Sequence, residues 1–455
     1  MAKEIATFLQ KQIYLYTIGI AFLVNRTARF LPSFDGWQFL SLLVTFCAIN
    51  YITIFFVRKM KWMRLSYAIF SLFYIWLVLF WGEMLKVFFD KTFFVLQFRF
   101  LLFLLLGLLL IFFVIKKRLN LEWQLINKMI NVFIIAFIFI SISSGIVDYV
   151  WYRNHLHVYE NKSLPAINNL GNKDIVWILL DEHASPSFLR NDLHTHEFLA
   201  DSLSRKGFYV FDSLPSTMDA TIYSINAIFN LDDKAIPESH MSLFDFLKES
   251  KWIYQLKKLG YKIDNLDFFD IGDEPKSDSL NIFYNTYYEQ IFDATTFQDI
   301  FVKFNPVQAH INANCRIYND HILQKFKKDI NTREAQPKFT WVHLLMPHYP
   351  FLKNENGLDN PPEIVNSVNL PNDIVNQYYV GYLKYCDNVA LAMLETIPNW
   401  RDKIVIISGD HGFRNSLADN DPRRYATFAA IYSSKMDSVE MQQIKYLQQI
   451  PLKIH

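Results

Sequence analysis

The stretch DIVWILLDE (174–182) decides how the larger part of this 455-residue chain is read. Its apolar run offers no polar face to water. Such a run marks a strand covered on both sides, as in a parallel sheet between helices. FYVF (208–211), YKIDNL (261–266), FTWVHLL (339–345) and KIVIIS (403–408) also look like strands, several of them apolar on both faces. Amphipathic segments at 193–206, 241–259 and 374–396 lie between them. This alternation predicts an α/β sandwich. In such folds ligands gather beyond the carboxyl ends of the strands, so residues directly after a strand are the first candidates for chemistry.

Asp181 and Glu182 follow the first strand, and Asp410, His411 and Gly412 follow KIVIIS and Gly409. A lone Asp after a strand is ordinarily a turn or cap residue. Two strand ends, far apart in sequence, that deliver Asp, Asp and His suit a divalent cation. In STMDATIYSINAIFNL (216–231), Ile222, Ile225, Ile228 and Phe229 recur at helical spacing, with Asp219 as the expected N-cap. Thr221 then falls in the first turn, where free N–H groups and the helix dipole favour an anion. A metal-bound hydroxyl there is a candidate nucleophile toward phosphorus or sulfur, although Thr221 also suits plain helix initiation. In MPHYPF (346–351) two prolines hold His348 rigidly after another strand, as a group for steadying oxygens or protonating a leaving group. His343, within that strand, reads as a core histidine.

Residues up to 148 differ sharply from the rest. Segments 38–57, 66–82, 97–115 and 129–147 each approach the ~20 apolar residues that cross ~30 Å of hydrocarbon. A fifth span, 5–24, is interrupted at Gln10, Lys11 and Gln12. It lacks a small-residue cleavage site, and more spans follow, so it does not read as a cleaved signal. With the N-terminus in the cytoplasm, Lys3, Lys11, Arg58, Lys59, Lys61 and Arg64 lie inside, as do Lys116, Lys117, Arg118 and Lys128. Only Arg26, Arg29, Lys86 and Lys91 lie outside. That bias places everything after 148 outside the cytoplasm. Trp151 and Tyr152 suit an interfacial belt, and the polar stretch to Lys173, with Pro165 and Gly171, reads as a linker. The expected organisation is 1–148 transmembrane, 149–173 juxtamembrane linker and 174–455 extracytoplasmic catalytic domain.

A net charge of +1 leaves no global footprint for nucleic acid. Cys47, Cys315 and Cys386 form no disulfide framework; a Cys315–Cys386 bridge stays open.

VWILLDEHAS, the helix opening at Thr221, MPHYPF and IVIISGDHG occur in the order used by membrane-bound sulfatase-like enzymes of the alkaline-phosphatase superfamily. The chain most resembles lipoteichoic acid synthases and lipid A phosphoethanolamine transferases along nearly its whole length. That resemblance implies a five-helix transmembrane bundle followed by a sulfatase-like α/β sandwich. It also implies a bacterial cytoplasmic (inner) membrane location, multi-pass, with a periplasmic catalytic domain. By the same resemblance, Asp181, Thr221, Asp410 and His411 hold zinc or manganese, Thr221 is the nucleophile and His348 contacts substrate. Glu182 stands where sulfatases place a second acidic ligand and transferases have none, which leaves its role open. The sequence Thr221-Ile-Tyr-Ser-Ile225 lacks the Pro and Arg of a sulfatase nucleophile motif, which counts against sulfate-ester hydrolysis.

The implied activity is transfer of a phospholipid headgroup, of phosphoethanolamine or phosphoglycerol type, through a threonine-linked intermediate. The donor is a membrane lipid and the acceptor an envelope glycan or glycolipid. The alternatives are a sulfatase- or phosphodiesterase-type hydrolase and a catalytically inactive membrane scaffold.

Overall fold

The computed structural model describes residues 10–29, 36–59, 65–89, 98–156, 170, 172–231, 240–277, 291, 305–332, 335–367, 370–435 and 438–454. The chain divides into two compact units, Met1–Asn154 with Tyr284–Val307, and His155–Phe283 with Gln308–His455. The start of the 5–24 span, linker residues 157–169, and Lys3, Lys61, Arg64 and Lys91 lie outside the described residues.

Among the described residues the first unit has the helices α1 (Tyr14–Arg29), α2 (Gly36–Lys59), α3 (Leu65–Phe89), α4 (Phe98–Arg118) and α5 (Trp123–Leu156). Among the described residues, Gly36–Phe56 and Trp123–Val150 are long and apolar enough to cross a membrane, and Leu65–Trp81 is a shorter apolar stretch. Close helix approach depends on small residues. A Cβ on Gly19 of α1 would lie 2.4 Å from the Phe46 ring of α2. Phe22 of α1 stacks on Phe80 of α3 at 4.1 Å. Asn50, buried in α2, donates to the Phe46 carbonyl at 2.9 Å and accepts from the Trp76 indole at 2.8 Å. Val44, Phe56, Phe133 and Phe139 are each more than half exposed, an apolar exterior that suits lipid better than water.

In the second unit β1 (Ile175–Leu180), β2 (Tyr209–Pro215), β3 (Lys262–Leu266), β4 (Lys338–Leu344), β5 (Ile404–Ser408) and β6 (Ala426–Tyr432) form one sheet, in the order β2-β6-β5-β1-β4-β3. β3, β4, β1 and β5 run parallel. β6 pairs antiparallel with β5, and β2 with β6. Every residue of β1, β4 and β5 is buried, which requires cover on both faces. On one face Trp177 and Trp341 meet at 5.5 Å, and Phe229 and Trp252 lie over Trp341 and Phe339.

Two differences from the sequence reading have local causes. FYVF lies in an antiparallel edge strand whose burial alternates irregularly, not in the parallel core. Its partner ATFAAIY was not anticipated, because its alanines carry little strand signal.

The intervening helices are α6 (Pro186–Asn191), α7 (Phe198–Arg205), α8 (Thr221–Asn230), α9 (His240–Lys248), α10 (Lys251–Lys258), α11 (Asn305–Asp329) and α12 (Asn372–Thr396). The segment 241–259 breaks into α9 and α10 because Ser250 caps a new helix, accepting from the Ile253 N–H at 3.3 Å.

Candidate active site

Each predicted residue sits where a strand or loop ends. β1 ends at Leu180, and Asp181 follows, fully buried, its N–H bonded to the Leu344 carbonyl of β4 at 3.0 Å. Glu182 then turns through φ 62°, a left-handed conformation that reverses the chain at the sheet edge. Two anchors hold this turn. The Tyr379 hydroxyl of α12 donates to the Glu182 carbonyl and accepts from the Ala184 N–H, both at 2.9 Å. The His183 ring meets Asp387 at 2.9 Å.

β5 continues into Gly409, Asp410 and His411. Asp410 Oδ1 accepts the Glu182 N–H at 2.9 Å, which stitches the two strand tips together. The Nδ1 atom of His411 lies 2.9 Å from the Gly412 carbonyl. A carbonyl only accepts, so Nδ1 carries the proton and Nε2 presents its lone pair to the site.

The structure brings Asp181, Asp410 and His411 together, with one ligand atom of each within 4.8 Å of the others. Thr221 joins them. Its Oγ1 lies 3.4 Å from Asp181 Oδ1 and 3.5 Å from His411 Nε2, while those two atoms are 4.0 Å apart. The point equidistant from the three is about 2.1 Å from each, the length of an oxygen or nitrogen bond to zinc. Asp410 Oδ2 is 3.2 Å from the same imidazole nitrogen. Asp181 Oδ2 and Asp410 Oδ2 are buried without a hydrogen-bond partner among the described residues. Orphaned carboxylate oxygens beside an imidazole lone pair fit a divalent cation.

Thr221 opens α8, but the N-cap is Ala220, which has no side-chain cap bond; Asp219 is not the cap. The Asp219 carboxylate instead pairs with Arg424 at 3.0 Å. Ala220 offers no side-chain cap, and the helix dipole at this start favours an anion.

His348 stands apart from the cation cluster. Its Nδ1 donates to the Tyr349 carbonyl, and its Nε2 accepts from Arg414 Nη2 at 3.3 Å. In this arrangement Nε2 carries no proton, so His348 must take one up before it protonates a leaving group. Glu182 lies outside the converging set among the described residues. Its carboxylate accepts the Arg414 N–H at 2.8 Å and lies 3.5 Å from Arg414 Nε.

His343 is more than a core histidine. Its Nδ1 meets Asp267 at 3.1 Å, but its Nε2 has no hydrogen-bond partner and faces Asp181 Oδ2 at 3.7 Å. Burial opposes charging of this ring, yet the Asp267 and Asp181 carboxylates outweigh it and push its pKa up to about 10. For Asp181, burial raises the pKa, but the facing His348, His343 and His411 outweigh it and hold the carboxyl below its ordinary range.

Several contributors escaped the sequence reading. Asp267 follows β3 directly, so the strand-end rule applied there would have found it. Its carboxylate takes the Trp341 indole N–H at 2.7 Å as well as His343. Arg414, three residues beyond His411, reaches the Asp219 carbonyl at 2.6 Å and so links both strand tips, the His348 loop and the approach to Thr221. Ser216, Ser224 and Gln448 form a buried network around the same helix start. No motif pointed to them.

No protein-family model matches the chain, and no curated protein sequence does. Similar solved structures exist. The integral membrane lipooligosaccharide phosphoethanolamine transferase A from Neisseria meningitidis aligns over 96% of this chain and 91% of its own, at 13% identity and a TM-score of 0.43. The periplasmic domain of a phosphoethanolamine transferase from Campylobacter jejuni aligns over 61% of this chain and 84% of its own, at 15% identity and a TM-score of 0.36. The lipoteichoic acid synthase LtaP from Listeria monocytogenes aligns over 63% and 72%, at 12% identity and a TM-score of 0.33.

Proposed function

We propose that this chain is a metal-dependent phosphotransferase of a bacterial inner membrane, with residues 1–148 as five spans, 149–173 as linker and 174–455 as the periplasmic catalytic domain. The observation that carries the reading is the Thr221 hydroxyl, at a helix N-terminus, 3.4 Å from Asp181 and 3.5 Å from His411. An alcohol at that point has carboxylate and imidazole neighbours, and a helix start whose dipole favours anionic oxygens.

Asp181, Asp410, His411 and Thr221 would hold the cation, zinc or manganese. When bound, it supplies Lewis acidity and favours ionisation of the threonine hydroxyl. Thr221 attacks the phosphorus of a phosphodiester lipid. The new bond joins Thr221 Oγ1 to phosphorus, the bond from phosphorus to the diacylglycerol oxygen breaks, and that oxygen takes up a proton. An acceptor hydroxyl or phosphate on an envelope glycan or glycolipid then takes the group from Thr221. The guanidinium of Arg414 lies beside the route and steadies the non-bridging oxygens, and His348 would do so once Nε2 takes up a proton. A membrane tether raises the encounter rate with a lipid headgroup through effective concentration.

The test is to incubate the full chain with labelled phospholipid and no acceptor, then map the label by mass spectrometry. Label on Thr221, lost in Thr221→Ala, is the expected result. Near-normal transfer by Thr221→Ala would end the proposal.

A further inference from the structure

The register of the sheet brings three titratable side chains of the second unit into line. Leu179 of β1 pairs with His343 of β4, and Leu266 of β3 with Val342 of β4. Side chains alternate along a strand, so Asp181, two residues beyond Leu179, falls on the face of His343. Asp267, the residue after Leu266, comes level with His343 on its other side. The order across the sheet is therefore Asp267, His343, Asp181.

Asp267 is a fixed acceptor. Its Oδ1 takes the N–H groups of Phe268 and Phe269 at 2.6 and 3.1 Å, and its Oδ2 takes the Trp341 indole at 2.7 Å. The same Oδ1 meets His343 Nδ1 at 3.1 Å, which keeps that nitrogen protonated and the imidazole in one orientation. Phe268 lies against the ring at 4.9 Å, and the His343 carbonyl accepts from the Tyr318 hydroxyl at 2.8 Å. Nε2 has no hydrogen-bond partner among the described residues and faces Asp181 Oδ2 at 3.7 Å.

The two oxygens of Asp181 face different ways. Oδ1 is the one that closes on Thr221, at 3.4 Å, and on His411, at 4.0 Å. Oδ2 is the one left to His343. A buried carboxylate is stable as an anion only with a partner, and carboxylates at both ring nitrogens favour the imidazole that carries both protons. A shift of about 0.7 Å brings an Nε2–H within hydrogen-bond distance of Oδ2.

We propose that His343, braced by Asp267, is a positioning residue: it holds Oδ2 of Asp181 so that Oδ1 is the oxygen offered to the cation and to Thr221. The inference rests on the cation site of the proposed function and adds the pair that aims its first carboxylate. Groups that hold a ligand in this way typically set about tenfold to a hundredfold of metal affinity.

Full-length chains in lipid nanodiscs are stripped of metal, titrated with zinc against a chromophoric chelator, and loaded with cobalt(II) for visible absorption. His343→Gln puts an amide nitrogen where Nε2 stands and gives up the bond to Asp267. His343→Asn puts one where Nδ1 stands and gives up the reach to Asp181. Zinc is expected to bind about tenfold to a hundredfold more weakly to His343→Asn, with a changed cobalt spectrum because Oδ2 is released. His343→Gln is expected to recover much of both. Wild-type affinity or a wild-type spectrum in His343→Asn overturns the positioning role. So does a His343→Gln that is no better than His343→Asn, the result that core filling alone would give. Thermal unfolding of the metal-free chains reports which variants fold. Where His343→Asn does not, Asp267→Asn decides, since it leaves the imidazole with a neutral brace: weaker zinc binding is expected, and wild-type affinity overturns the role. A wild-type chain that binds no zinc, or binds it equally well after Asp181→Ala, overturns instead the cation site on which the inference rests.

Discussion

The Ser224 hydroxyl donates to the backbone carbonyl of Asp410 at 2.7 Å. One turn into α8, it ties the helix begun by Thr221 to the strand tip that carries Asp410 and His411. Gln448 completes the tie: its carboxamide oxygen accepts the Thr217 N–H at 3.0 Å, and its nitrogen donates to Ser216 at 2.9 Å and Ser224 at 3.3 Å. A hydroxyl from one segment and a carboxamide from another therefore set the distance between proposed nucleophile and proposed ligands.

Loss of this tie is expected to slow transfer more than it unfolds the chain. Ser224→Ala removes one buried donor, worth about 1 kcal/mol of stability. Gln448→Leu is expected to lower kcat about tenfold, and Gln448→Glu, which keeps the acceptor toward Thr217, to lose less. Rates and thermal unfolding measured on the same preparations decide it; a rate loss no larger than the loss of folded protein would leave the network a purely structural role.

Arg414 is expected to matter through its fork as well as its charge. Arg414→Ala takes the guanidinium away from Glu182, which keeps the backbone N–H of residue 414, and removes a donor to the transferred oxygens, for a loss of about a hundredfold in kcat/KM. Arg414→Lys keeps a charge but cannot span Asp219, His348 and Glu182 together, so only partial recovery is expected. Steady-state kinetics on a phosphodiester ester substrate check this, and recovery to the wild-type rate by lysine would contradict it.

Gly409 has no room for a side chain. A Cβ there would sit 2.2 Å from Thr427 Oγ1 and 2.8 Å from the His183 carbonyl. Gly409→Ala is expected to cost about 1–3 kcal/mol by overpacking, seen as a lowered denaturation midpoint. Adding Thr427→Ala relieves the contact with the hydroxyl but not the one with backbone, so the double variant should recover only in part.

Cys315 and Cys386 are buried free thiols. Burial, followed by the charge of Asp181, pushes the Cys315 thiol from about 9 up to about 12. A raised folded pKa means that its contribution to stability is complete below pH 9 and is lost as pH climbs from 9 through 12. Iodoacetamide is expected to leave both residues unmodified in the folded chain at pH 8 and to alkylate them in urea. Alkylation of either in the native chain would show that the thiols are open to solvent.

Much of the second unit was legible because burial writes itself into local pattern. β1, β4 and β5 read correctly since strands covered on both faces must be apolar throughout, and Asp181 and Asp410 stood out because they break such runs at their ends. β6 was not legible, because alanine and threonine in a strand resemble many other settings. Asp219 was placed at the cap where Ala220 sits, a shift of one residue that only the path of the backbone decides.

Sequence alone determined that Asp181 and Asp410-His411 follow apolar parallel strands, and that the chain before residue 148 is far more apolar than the rest. It determined these because hydrophobic periodicity and turn chemistry act between near neighbours. The tertiary structure decided that Thr221 approaches Asp181 and His411, that Glu182 serves Arg414 instead of the cluster, and that His343 looks toward Asp181. Those relations join strands and loops up to 232 residues apart, and no local rule carries a distance between side chains that only packing brings together.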